Sequence, residues 1–236
     1  MILTTAVLSF CGVADALSAA QACRAFSGAV EAWALWSRDR LSQLRGALLD
    51  EGKAVPRRRG PSKISTMKDR PSLCNFVTGE LSLRSLARVL AVARLASGQV
   101  FADLGCGAGR QLLGAALLVP GLRKVVGYEL LDGYLEVARR TLQEEKLGDA
   151  KAELRHADFT ADGTEWPSEA DVVLAVATCF DDNQMARLQA QTTSLRPGAM
   201  LVSIDKPIPT LRLVAKARVE GDWGPATAFV HEQQHT

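Results

Sequence analysis

The most constraining stretch of the chain is Val100-Phe-Ala-Asp-Leu-Gly-Cys-Gly-Ala-Gly-Arg110. A short apolar strand runs straight into glycines at 105, 107 and 109. Glycine tolerates positive φ and carries no side chain, so the backbone of such a loop can approach a ligand closely. A helix over roughly 110–119, stopped by Pro120, points its free N–H groups into the same space. Strand, glycine loop and helix in that order open a doubly wound α/β fold, in which ligands bind beyond the carboxyl ends of the strands.

The rest of the chain keeps this alternation. Ser82 is placed to cap a helix through Leu83, Leu86, Val89, Leu90 and Ala93, with Gly98 as its stop. Strands follow at 124–129 and near 152–156, with an amphipathic helix over 132–146 between them. Asp171-Val-Val-Leu-Ala-Val176 is apolar throughout, as a central parallel strand is. A helix over 181–194, a strand over 199–204 and two strands at 212–220 and 224–231 complete the pattern. It predicts an α/β fold, Rossmann-like and mostly parallel, with helices on both faces and an antiparallel C-terminal edge.

The glycine loop does not fit a dinucleotide. That fingerprint needs a third glycine where this chain has Arg110. What is present is an aspartate two residues before G-x-G-x-G. This resembles the first motif of class I S-adenosylmethionine-dependent methyltransferases, whose cofactor has no pyrophosphate. Asp103 is then placed for the cationic methionine end. Glu129 ends the next strand, twenty residues after Gly109, where an acid accepts hydrogen bonds from ribose hydroxyls.

Further stretches narrow the resemblance. They are Thr78-Gly-Glu80, Ala157-Asp-Phe159, Thr178-Cys-Phe-Asp-Asp182, Leu195-Arg-Pro-Gly198 and Lys206-Pro207. In this order they resemble the non-SET histone-lysine methyltransferase family, the disruptor-of-telomeric-silencing type, and its short protist relatives. The resemblance covers about residues 76–208. It implies a cofactor site in which Glu80 lies over the methionine part and Asp103, Gly105 and Gly107 form the floor. Glu129 would hold the ribose, and Asp158 and Phe159 the adenine. Thr178 and Phe180 would line the channel of the incoming lysine, as the catalytic positions. Two departures stand out: Thr78 replaces a tyrosine, and Val176 stands where the family has an asparagine. Asp181-Asp182 reads as a helix N-terminus, and Asp205-Lys206 as either a surface pair or a sheet-end site.

The resemblance implies S-adenosylmethionine as cofactor, a protein substrate such as a histone or nucleosome, and an intracellular, nuclear setting. Two alternatives stand beside it: a small-molecule or RNA methyltransferase of the same fold, and a cofactor-binding protein without transfer activity.

Charge is uneven along the chain. Overall it is +2, with 28 basic and 26 acidic residues, which excludes a uniformly basic coat. Residues 51–75 carry seven basic and two acidic residues, a net of +5. Within them Val55-Pro-Arg-Arg-Arg-Gly-Pro-Ser-Lys63 reads as an exposed linker, and 56–63 as a candidate contact for nucleic acid. Residues 1–50 are expected to form a helical extension, with Phe26, Val30, Trp33 and Leu41 on its apolar stripe. Residues 76–236 are expected to form the methyltransferase domain. The apolar run at 2–14 is too short for a membrane span. Ala16-Leu-Ser-Ala-Ala20 resembles a cleavage site, which keeps an N-terminal targeting peptide as an alternative. Five cysteines without a C-x-x-C pair suggest neither a disulfide framework nor a zinc site.

Overall fold

The computed structural model describes residues 79–234 apart from 145, 146, 148, 149 and 162. The expected helical extension (1–50), the basic linker (51–75) and Thr78 lie outside the described residues. The elements are α1 (Leu83–Val92), β1 (Val100–Leu104), α2 (Arg110–Leu118), β2 (Lys124–Glu129), α3 (Asp132–Glu144), β3 (Lys151–His156), β4 (Val172–Ala175), α4 (Asp182–Gln191), β5 (Met200–Ile204), β6 (Arg212–Gly221) and β7 (Gly224–Glu232). A single 3₁₀ turn, Thr192–Ser194, follows α4. No helix among the described residues is long and apolar enough to cross a membrane.

The strands form one seven-stranded sheet in the order β3-β2-β1-β4-β5-β7-β6. Strands β1 to β5 run parallel, and β7 joins β5 antiparallel, with β6 paired antiparallel on its outer side. This is the mixed, mostly parallel sheet that the alternation predicts. β1 and β4 are buried along their whole length, which is why both read as unbroken apolar runs. Side chains alternate between two cores. Phe101, Val125 and Leu174 pack toward α1 and α2. Ala102, Val126 and Val173 pack with Met185 and Leu188 of α4.

Strand order reverses between β1 and β4, and a crevice opens there at the carboxyl ends. The loop after β1 is strapped to β2, since Gly105 and Cys106 both donate their N–H to Tyr128 O, at 2.9 and 2.8 Å. Its close packing depends on Gly127 in β2. A Cβ there would lie 2.6 Å from Cys106 Sγ and 2.7 Å from Leu112 Cδ1. Gly127 thus provides the close approach that a dinucleotide fold obtains from its third glycine, where this chain has Arg110.

The end of α1 differs from the sequence expectation. The helix stops at Val92 rather than near Gly98. Arg94 adopts the left-handed conformation at φ 59, Arg94 N–H bonds Ala91 O and Leu95 N–H bonds Leu90 O, both at 2.9 Å. This is a Schellman ending with arginine in the position glycine usually fills. The start is as expected: Ser82 caps the helix by accepting from Ser85 N.

Gly127→Ala tests the packing beneath the loop. Overpacking of this kind costs about 1–3 kcal/mol. The urea-denaturation midpoint should fall accordingly, and an unchanged midpoint would contradict the packing described.

Candidate active site

One cleft at the switch point is lined by Gly79, Glu80, Asp103, Gly105, Gly107, Glu129, Asp158, Phe159, Val176 and Phe180. All seven residues expected to hold the cofactor are therefore brought together, from four segments far apart in sequence.

Glu129 organises the floor. Its Oε2 accepts from Gly107 N at 2.8 Å, and its Oε1 accepts from Leu130 N at 2.8 Å and Leu131 N at 2.9 Å. One carboxylate thus ties the β1–α2 loop to the β2–α3 loop. Asp103, at the end of β1, is 1% exposed, and neither of its oxygens has a hydrogen-bond partner. Burial, reinforced by the nearby charges of Glu129 and Glu80, pushes its pKa up to about 8.

Glu80 is carried by a short segment clamped to the β6–β7 hairpin. Asp222 Oδ1 accepts from Glu80 N at 3.1 Å, and Asp222 N donates to Glu80 O at 3.0 Å. The Trp223 indole wedges between Gly79 and Gly221. A Cβ on these glycines would come within 2.6 and 2.4 Å of the ring. The Glu80 carboxylate pairs with the Arg110 guanidinium at the start of α2. Burial still dominates and raises Glu80 to about 7, against the lowering effect of Arg110.

At the far end Asp158 Oδ1 accepts from Thr160 N and Thr160 Oγ1, at 2.8 and 2.7 Å. The Phe159 ring lies against Gly105, 3.6 Å from where its Cβ would be, and 5.7 Å from the Phe180 ring. Trp166 Nε1 donates to Phe159 O at 2.8 Å and fixes this turn.

Thr178 is not among the residues lining the cleft. Its Oγ1 donates to Asp205 Oδ2 at 2.8 Å, while Asp205 Oδ1 accepts from Thr227 N at 3.0 Å. Asp205 is itself left-handed, at φ 64. Lys206 Nζ donates to Phe180 O. Asp205 and Lys206 thus form a sheet-end anchor for the turn that carries Phe180 into the cleft. Asp181 caps α4 in a capping box with Gln184, as its reading as a helix N-terminus requires. Burial, with the charges of Asp103 and Glu129, holds the Cys106 thiol well above its ordinary pKa and so disfavours the reactive thiolate.

Sequence reasoning missed Gln111, Tyr134 and Thr160 in the lining. A positional signal existed for the first two. Both lie in the first turn of a helix that follows a strand ending at the cleft.

A sheet of this order, a glycine loop at its switch point, an orphaned buried aspartate and an acid ending β2 define a class I S-adenosylmethionine-dependent methyltransferase. The model of the family described as "Histone methylation protein DOT1" matches residues 62–222, well over half of the 236-residue chain. The chain belongs to this family.

Among solved structures, the chain is similar to an RNA methyltransferase from Salinibacter ruber in complex with S-adenosyl-L-homocysteine. The two are 26% identical with a TM-score of 0.52, over 64% of this chain and 92% of that one. TrmN from Thermus thermophilus is 22% identical with a TM-score of 0.51, over 64% of this chain and 48% of that one. The match therefore spans about half of TrmN. Magnesium protoporphyrin IX methyltransferase from Synechocystis, with bound SAM, is 13% identical with a TM-score of 0.51, over 64% and 79% of the two chains. These last two likenesses concern the fold alone. No curated protein matches the sequence.

The raised pKa of Asp103 has a testable consequence. The carboxyl goes from an ordinary value of 3.8 to about 8 on folding, so the folded state holds more protons between these values. Stability of the free protein then falls as pH rises through that window. Asp103→Asn removes this titration. In urea denaturation at pH 5 to 8.5, the variant should gain on the wild type as pH rises. A constant difference would contradict the buried state of Asp103.

Proposed function

We propose that this enzyme transfers a methyl group to the side-chain nitrogen of a histone lysine. The family match over residues 62–222 carries this reading. The cofactor supplies a methyl group on a sulfonium, already activated toward a nucleophile. The chain's own task is then to bind, orient and exclude water.

Asp103, with no internal donor, suits the cationic amino-acid end of the cofactor. Glu129 suits the ribose. A carboxylate has about four acceptor positions, and the three N–H groups it already accepts leave room for roughly one more donor. Both internal bonds of Asp158 go to Oδ1, so Oδ2 suits the amino group of adenine, and Phe159 offers the ring a face. A lysine must be neutral to attack, and the apolar wall of Val176 and Phe180 favours the neutral form by desolvation. No dedicated base is required. Thr178 serves from behind the wall, through its bond to Asp205.

Val176 marks the one position in this wall where the resemblance calls for asparagine. Val176→Asn should raise the turnover rate severalfold with little change in cofactor affinity. An unchanged rate would remove this position from the catalytic channel.

We further place the enzyme in the nucleus, with Arg57, Arg58 and Arg59 contacting nucleosomal DNA. Such contacts release counterions and weaken steeply with salt.

Labelled cofactor offered with nucleosomes, free histones or total RNA tests the substrate. The Salinibacter relative, at 26% identity, is an RNA methyltransferase and makes RNA the rival acceptor. Label should enter histone. Label in RNA alone would overturn the lysine reading.

A further inference from the structure

Gln111 is the second residue of α2 and is 4% exposed. Its Nε2 donates to Leu81 O at 3.2 Å, which fixes the orientation of the amide. Its Oε1 is left buried and accepts no hydrogen bond, the same condition as both oxygens of Asp103. Gln111 and Asp103 line the same cleft.

Three orphaned acceptors in one lining are unusual, because buried polar groups are nearly always satisfied. They call for a ligand group made of donors. An ammonium has three N–H donors, no acceptor, and a positive charge that favours the ionised form of Asp103. A carboxylate has no donor, and a hydroxyl has one. The surroundings make the selectivity sharper. The first turn of α2 otherwise presents N–H donors and the positive end of the helix, which attract a carboxylate. Gln111 Oε1 is an acceptor set within that field.

We infer that Gln111 Oε1 and Asp103 together form the seat of the α-ammonium of the bound cofactor, and that Gln111 determines which end of the amino-acid group enters there. This rests on the reading of the cleft as the S-adenosylmethionine site.

Calorimetric titration with two ligands tests it. S-adenosylhomocysteine carries the amino-acid end, and 5′-methylthioadenosine lacks it. Gln111→Met keeps the side-chain volume and removes the acceptor. It should weaken S-adenosylhomocysteine about tenfold, as expected for one hydrogen bond to a charged group. It should leave 5′-methylthioadenosine unchanged. Gln111→Glu keeps an acceptor and should retain the affinity for S-adenosylhomocysteine, which also covers the case in which Gln111→Met fails to fold. Equal loss for both ligands in Gln111→Met, or a tenfold loss in a folded Gln111→Glu, would overturn the assignment. Failure of the wild type to bind either ligand would instead overturn the reading of the cleft itself, and the seat with it.

Discussion

The site depends on one carboxylate. Glu129 accepts three backbone N–H groups, one from the loop after β1 and two from the loop after β2. A second strap, from Gly105 and Cys106 N–H to Tyr128 O, ties the loop after β1 to β2 itself. Glu129 belongs to a buried strand, so its position is set by the sheet, and the loops are set by Glu129. The cleft is therefore a property of the core, carried outward by three hydrogen bonds. The charge of Glu129 also helps to raise Asp103, so one side chain governs both the shape of the floor and its electrostatics.

The rest of the cleft is closed from a distance. The segment bearing Glu80 is held by the hairpin of β6 and β7, 142 residues further along the chain. Trp223, wedged between Gly79 and Gly221, sets how closely hairpin and segment approach. On the opposite side Asp205 and Lys206 hold the turn that carries Phe180. The antiparallel hairpin is thus part of the site, because it clamps the Glu80 segment directly and, through Thr227 N–H to Asp205, braces the anchor of the Phe180 turn.

Much of this was legible in the sequence because its causes are local. The glycine loop, the buried strands and the capping residues Ser82 and Asp181 are each determined by a few neighbouring residues, and each lies where the pattern puts it. What was hidden depends on contacts across the sheet. Gly127 looks like any glycine in a strand until Cys106 and Leu112 are seen to fill the space above it. Arg110, noticed only as a failed glycine, is the ion-pair partner of Glu80. Thr178 sits in a motif that suggested the channel wall, yet its hydroxyl turns to Asp205. The left-handed Arg94 could not be read either, since arginine carries no signal for that conformation. For Gly127, Arg110 and Thr178 a partner distant in sequence decides the role, whereas Arg94 is set by the hydrogen bonds of its own helix end.

The central claim is that the cleft joining Asp103, Glu129 and Asp158 binds the cofactor. A crystal structure of the full chain with S-adenosylhomocysteine tests this most directly. The account predicts the ammonium at Asp103, a ribose hydroxyl at Glu129, and the adenine against Phe159 with its amino group at Asp158. A ligand bound elsewhere, or one lying in the cleft with the adenine at Asp103, would contradict it.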